Sequence, residues 1–164
     1  MGYFRVGYGE LELKMNLDPI ILHLFTLRDI KTGRILCCFR KQNTVVTICK
    51  NMIAKRLAGV ANDCNITYGA VGTGVYPEDP AGAITLSTEL SRVMIANASA
   101  TASVAYITSF FGTGAGNGTL TNFGLFGEAA TGAADSGTLI NITKIDIVKT
   151  NLQTLTVDSQ FVIN

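Results

Sequence analysis

Residues 110–127, FFGTGAGNGTLTNFGLFG, limit what this chain can become more than any other stretch. Six glycines (112, 114, 116, 118, 124, 127) and four phenylalanines (110, 111, 123, 126) share eighteen positions, and none of the eighteen is charged. Glycine permits tight turns and close backbone approach. Each phenylalanine brings a large apolar area that something must cover. Such a segment belongs in tightly turned β structure, and nothing in it exchanges a proton near neutral pH. Asn117-Gly118 is a hairpin-turn signal between two strand-like runs, 100–111 and 119–126, so the pair is expected to form a hairpin.

The rest of the chain reads the same way. Residues 10–17, ELELKMNL, alternate without a fault: Leu11, Leu13, Met15 and Leu17 face one way, Glu10, Glu12, Lys14 and Asn16 the other. That is a strand with one buried face, preceded by an aromatic arm (Tyr3, Phe4, Tyr8) and ended by Pro19. Residues 20–28, 34–39 and 44–48 follow as strands, with a turn at 29–33. The period then changes. Residues 50–57, KNMIAKRL, place Met52, Ile53 and Leu57 on one helical face, and Gly59 stands where a C-terminal cap belongs. Further strands are expected at 66–71, 138–148 and 154–163, the last two as a closing hairpin, with 86–92 a helical turn or extended connector. Eight or nine short strands, one helix near 50–58 and turns about every ten residues predict an all-β fold, a β-sandwich or jelly-roll-like barrel. Residues 1–18 form an arm and strand, and 19–164 one sandwich domain.

Composition bears on what covers that apolar area. Charged residues are 15% of the 164, against roughly 25% in an average soluble domain. A surface short of charge is expected to be covered in part by other subunits. The net charge of +1 gives nucleic-acid binding no global support, but the distribution is uneven. Up to Arg56 there are ten Lys/Arg against four acids; beyond it, three against eight. A basic first third and an acidic remainder suit head-to-tail docking. Residues 1–14, MGYFRVGYGELELK, lack the apolar stretch expected of a secretion signal, and no run reaches the 18 residues of a membrane span. The cysteines, at 37, 38, 49 and 64, are therefore expected to be reduced, buried thiols. Neighbours Cys37 and Cys38 do not form a zinc clamp.

Catalytic constellations are not evident. His23 is the single histidine, set in an apolar strand and expected in the core or at an interface. A nucleophilic triad would need it as its only base, and no G-x-S-x-G is present. No metal-ligand spacing appears, and no cofactor is expected. Paired carboxylates for sugar hydrolysis would have to come from Glu78, Asp79, Glu89, Glu128, Asp135, Asp146 or Asp158, without a tryptophan platform. Glu78 and Asp79 sit in a proline-flanked loop where solvated charge is ordinary. The Gly72-Thr73-Gly74 and 112–118 stretches lack the third glycine of a dinucleotide fingerprint and the Gly-Lys-Ser/Thr of a phosphate loop. Lys144, Asp146 and Lys149 are expected to guard an exposed sheet face or to pair across a subunit contact.

The motif order is more telling. NTVVTICKNMIAKRLAG (43–59), ITYGAVGTG (66–74), a proline loop, LSTELSR (86–92), a strand ending in Phe110-Phe111, and NGTLTNFGLFG (117–127) occur in sequence, with Lys149-Thr150 before the last strand. From residue 43 onward this resembles small structural proteins of tailed bacteriophages and prophages: tail, tail-fibre or minor virion proteins. The resemblance implies a non-enzymatic β protein made in the bacterial host cytoplasm and carried on the virion as a tail, baseplate or fibre component or as a capsid decoration or cement protein. It would act as a homo-oligomer, a trimer on first expectation, against other virion proteins. Candidate subunit contacts are Tyr3, Phe4, Tyr8, Phe123, Leu125 and Phe126, the last three shared between core and contact. The alternative is a receptor- or carbohydrate-binding module at the tail tip, for which Tyr68, Tyr76 and Tyr106 are the available aromatics.

Overall fold

The structure, a computed structural model, describes residues 20–60 and 65–163. The strand expected at 10–17, the arm bearing Tyr3, Phe4 and Tyr8, and Cys64 lie outside the described residues. Nine strands and one helix follow in chain order: β1 (Ile20–Asp29), β2 (Ile35–Gln42), β3 (Thr44–Val45), α1 (Thr47–Leu57), β4 (Ile66–Gly72), β5 (Glu89–Thr101), β6 (Val104–Phe111), β7 (Gly118–Gly127), β8 (Thr138–Lys149) and β9 (Gln153–Val162). The fold is all-β, as the spacing of turns predicts.

The strands form one antiparallel sheet in the order β2-β1-β9-β6-β5-β4-β7-β8-β3, bent round on itself. β5 makes the bend. Its first half pairs with β4 and its second half with β6, with a bulge between Ile95 and Asn97 where the change occurs. Bulges of this kind increase local twist and turn corners. The two ends of the sheet almost meet, since only Asn43 separates β2 from β3 along the chain. The result is a nearly closed barrel with β2 and β3 at its edges.

Alternation decides which residues face inward. In β1 Ile21, His23, Phe25 and Leu27 are buried, and in β9 Leu155, Val157 and Ser159. Inside the barrel Phe25 stands edge-on to Phe123, with ring centroids 5.5 Å apart, and stacks on Phe39 at 5.0 Å. Such aromatic pairs add about 0.5–1.5 kcal/mol beyond their buried area. Gly69 is obligatory here: a β-carbon on it would lie 2.2 Å from Ser109 Oγ and 2.8 Å from Ser109 Cβ.

Two expected hairpins do not form. β6 pairs with β5 and β9, whereas β7 pairs with β4 and β8. Residues 112–117 therefore carry the chain from one wall of the barrel to the other. The glycines still serve the turn, as Gly116 (φ +64°) and Gly118 (φ +149°) occupy conformations other residues resist. Likewise β8 and β9 are consecutive but lie in opposite walls. Instead, the stretch read as one strand at 100–111 contains a hairpin, β5–β6, turning at Ala102 (φ +51°). Residues 86–92 are neither helical nor a plain connector, because β5 starts at Glu89. The strand expected at 44–48 stops at Val45 and α1 starts at Thr47.

α1 closes as its sequence suggests. The Gly59 amide bonds the Arg56 carbonyl and the Val60 amide the Lys55 carbonyl, with Gly59 at φ +70°. This Schellman arrangement satisfies carbonyls that the helix end would leave bare. Lys55 and Arg56 in the last turn oppose the negative end of the helix dipole.

Candidate interaction site

The residues proposed from sequence as contacts divide sharply. Phe123, Leu125 and Phe126 are each 0% exposed in the single chain. They are wholly core and leave no surface for another subunit, which corrects their assignment as contacts. β7 is covered on both faces. Phe123 points into the barrel, and Gly124 and Phe126 lie on the opposite face under a second layer. That layer is the 73–88 loop, whose Leu86 is buried; a β-carbon on Gly124 would lie 3.0 Å from it.

Arg92 locks this outer layer. Its guanidinium lies over the Phe126 ring at 4.5 Å and forks onto Glu89, Nε to Oε1 at 2.6 Å and Nη2 to Oε2 at 2.7 Å. Nη1 donates to the Thr131 and Ser136 carbonyls and to Ser136 Oγ. The planar fork suits bidentate carboxylate pairing, and here it ties the 128–137 loop to β5. Sequence reading missed Arg92 because it placed 86–92 outside the sheet.

His23 lies in the core, with no solvent exposure. Asn141 Nδ2 donates to Nε2 at 2.8 Å, so Nδ1 carries the proton and meets Ser159 Oγ at 2.7 Å. Burial lowers the imidazole pKa from 6.5 to about 3, because desolvation penalises the cation. The trio has the composition of a hydrolytic site, but His23, Asn141 and Ser159 are each almost completely buried. It is a neutral polar layer that holds β1, β8 and β9 in register.

Lys149 is also buried, whereas Lys144 and Asp146 are exposed as expected. Its Nζ donates to the Gly112 carbonyl at 2.7 Å and to Asn117 Oδ1 at 2.8 Å. Burial lowers its pKa. The parity of β8 contains the signal, since residue 149 falls in step with buried Ile145 and Ile147. Of the shortlisted carboxylates, Glu89 and Asp135 are brought side by side: Glu89 pairs with Arg92 and its Oε2 accepts from the Asp135 amide at 3.2 Å, while Asp135 Oδ1 accepts from Thr85 Oγ1. The others bond elsewhere: Asp79 Oδ1 accepts from the Gly82 amide, Glu128 Oε2 from Thr138 Oγ1 and Asp158 Oδ1 from Thr108 Oγ1. Tyr106 and Tyr76 line different hollows, and Tyr68 lines neither.

Two stretches of the exposed apolar surface bear on an interaction site. The first is β2, an edge strand whose residues are exposed on both faces except for Phe39. Ile35 and Leu36 are 51% and 50% exposed. Cys37 and Cys38 are exposed beside them, against the expectation of buried thiols. Cys49 is buried. The second is one end of the barrel, where an apolar cavity of about 630 Å³ opens between α1, the β5–β6 turn and the last residues of β9. Among the described residues no three His, Cys, Asp or Glu side chains gather to hold a metal, and no helix is long and apolar enough to cross a membrane. No protein-family model, curated protein or solved structure matches the chain.

Proposed function

We propose that this chain is a non-enzymatic structural subunit of a tailed-phage particle, working through self-association and contact with other virion proteins. The free β2 edge is the observation that carries the assembly part. An edge strand exposes unpaired amides and carbonyls, and natural proteins usually blunt it with charge, proline or a cover. Here residues 35–38, ILCC, are uncharged and exposed, while Arg40 and Lys41 put charge only at the far end. Two copies pairing antiparallel about a two-fold axis at Cys38 place Ile35 opposite Lys41 and Leu36 opposite Arg40. No two cations then face one another. The motif order resembling phage structural proteins and the low charge content support the same reading.

Solution size tests the assembly part. The full chain is expected to sediment as an oligomer, and Leu36→Lys to shift it towards monomer with the fold intact, because Leu36 is already half exposed. A strictly monomeric chain at high concentration, or an oligomer indifferent to Leu36→Lys, removes the β2 contact. Cryo-imaging of phage particles lacking the protein tests the setting: fragile heads with intact tails would favour a capsid-cement role, and missing tail density a tail role.

A further inference from the structure

β2 leaves its outer ladder open, and alternation fixes which residues face it. The Asn43 amide donates to the Ile21 carbonyl at 3.2 Å, which makes that couple a hydrogen-bonded pair. Counting back along the register with β1, Lys41, Phe39 and Cys37 turn their amides and carbonyls towards β1, and Gln42, Arg40 and Cys38 turn theirs to the open edge. Side chains alternate between the two faces in the same step. Phe39 stacks on Phe25 inside the barrel, so Cys38 stands on the outer face, and it is exposed.

In a two-fold antiparallel pair of strands, opposite residues share a face, so the axis passes where one residue meets its own copy. An axis at Cys38 takes residues 35–41 into the ladder, whereas an axis at Phe39 leaves exposed Ile35 outside it. With the axis at Cys38, the two Cys38 residues form a hydrogen-bonded pair, whose Cα atoms lie about 5.5 Å apart. Disulfides span Cα separations of about 4.4–6.8 Å, most often about 5.5–6 Å. Cys37 meets no thiol in this register. It falls opposite Phe39 and points to the other face of β2 from Cys38. Cys49 is buried.

We propose, resting on the pairing of β2 edges between copies, that Cys38 is a redox lock on that contact: the two Cys38 thiols of a pair close to an intermolecular disulfide. The oxidant is a low-molecular-weight disulfide. One Cys38 thiolate attacks it and releases the first small thiol. The second Cys38 thiolate then attacks the Cys38 sulfur of the mixed disulfide and releases the other. One S–S bond forms as one breaks, and two electrons and the two thiol protons pass to the small thiols. In reducing surroundings the thiols stay free and the contact stays reversible; in oxidising surroundings it becomes covalent.

The test incubates the full chain with oxidised glutathione and follows crosslinked dimer on non-reducing gels, beside sedimentation in excess reductant. Cys37→Ser is expected to crosslink as the parent does, and Cys38→Ser to give no crosslinked dimer. Leu36→Lys, which sets a lysine opposite Arg40, is expected to crosslink roughly ten-fold more slowly, because the second exchange loses the proximity that pairing supplies. A parent chain that sediments in reductant as an oligomer sensitive to Leu36→Lys, yet gives no crosslinked dimer, overturns the lock and leaves the β2 contact standing. Crosslinking as fast in Cys38→Ser as in the parent, or lost in Cys37→Ser, also overturns the lock. Crosslinking through Cys38 that Leu36→Lys leaves unchanged, in a chain monomeric in reductant, overturns both, since the thiols then meet by random collision.

Discussion

The two ends of the barrel solve the same problem in opposite ways. At the end where β6, β8 and β9 reverse, polar groups fasten the loops. Lys149 ties β8 to Gly112 and Asn117, and Asn117 Nδ2 in turn donates to the Thr113 carbonyl at 2.8 Å. In the neighbouring turn the Lys31 and Thr32 amides both donate to Asp29 Oδ1, and the Ile30 amide reaches the Leu152 carbonyl. At the other end α1 stands over an apolar opening. Hydrogen bonds specify one geometry, whereas apolar area specifies only that a cover exists. The first end is therefore fixed by directional bonds within the described residues, and the second presents an open apolar surface.

Removing the central fastening should give the largest effect. Lys149→Met keeps the apolar stem and deletes the donor, leaving the Gly112 carbonyl and Asn117 Oδ1 without their shared partner. Hydrogen bonds to charged groups contribute about 1.5–3 kcal/mol each, so a loss of about 3 kcal/mol is expected in urea unfolding. If stability is unchanged, the pinned end is no more specified than the open one.

The open half has its own polar element, which is sensitive to acid. His23 is held neutral in the fold, with a pKa of about 3 against 6.5 when unfolded. Between those values the unfolded chain binds the extra proton, so stability is full above pH 6.5 and declines as pH falls through that window. Each pH unit costs about 1.4 kcal/mol, hence about 2 kcal/mol between pH 6.5 and pH 5. Unfolding free energies measured at the two pH values should differ by that amount, and His23→Gln should remove most of the difference. A flat profile in the parent protein would mean the imidazole is hydrated.

Much of this was legible from residues alone, and the misses share a cause. The strand at β1, the alternation of β9, the helix over KNMIAKRL and its Gly59 cap follow from local rules, and they formed. Asn117-Gly118 reads as the turn of a hairpin, but the chain turns at 113–116 and Gly118 already opens β7; the partner strands escape it too, because which wall a strand joins depends on contacts far away in sequence. The same holds for β8 and β9. Sheets pack about 10 Å apart, which the three residues 150–152 can span as readily as they could close a hairpin. Lys149 reads as charge on an exposed face or at a subunit contact because lysine is almost never fully buried without a partner; its partners are a carbonyl and an amide oxygen that only the folded 112–117 crossing brings near. Phe123, Leu125 and Phe126 read as divided between core and contact because nothing local shows that the 73–88 loop covers the outer face of β7. The cavity leaves no mark in sequence, since it is the space that α1 and five strand ends fail to fill.

The smallest effect should come from the rim of the open end. Leu57 is 85% exposed, so Leu57→Glu removes almost no buried area within the described residues. Surface substitutions away from caps and cores usually stay within about 0.5 kcal/mol, and urea unfolding is expected to show a change of that order. Solubility should respond more than stability, because a charge then interrupts the apolar run of Ile53, Leu57 and Val60. A loss comparable to that of Lys149→Met would reverse the comparison. It would mean that Leu57 is covered as tightly as the core, and that the α1 end is as fully built as the pinned one.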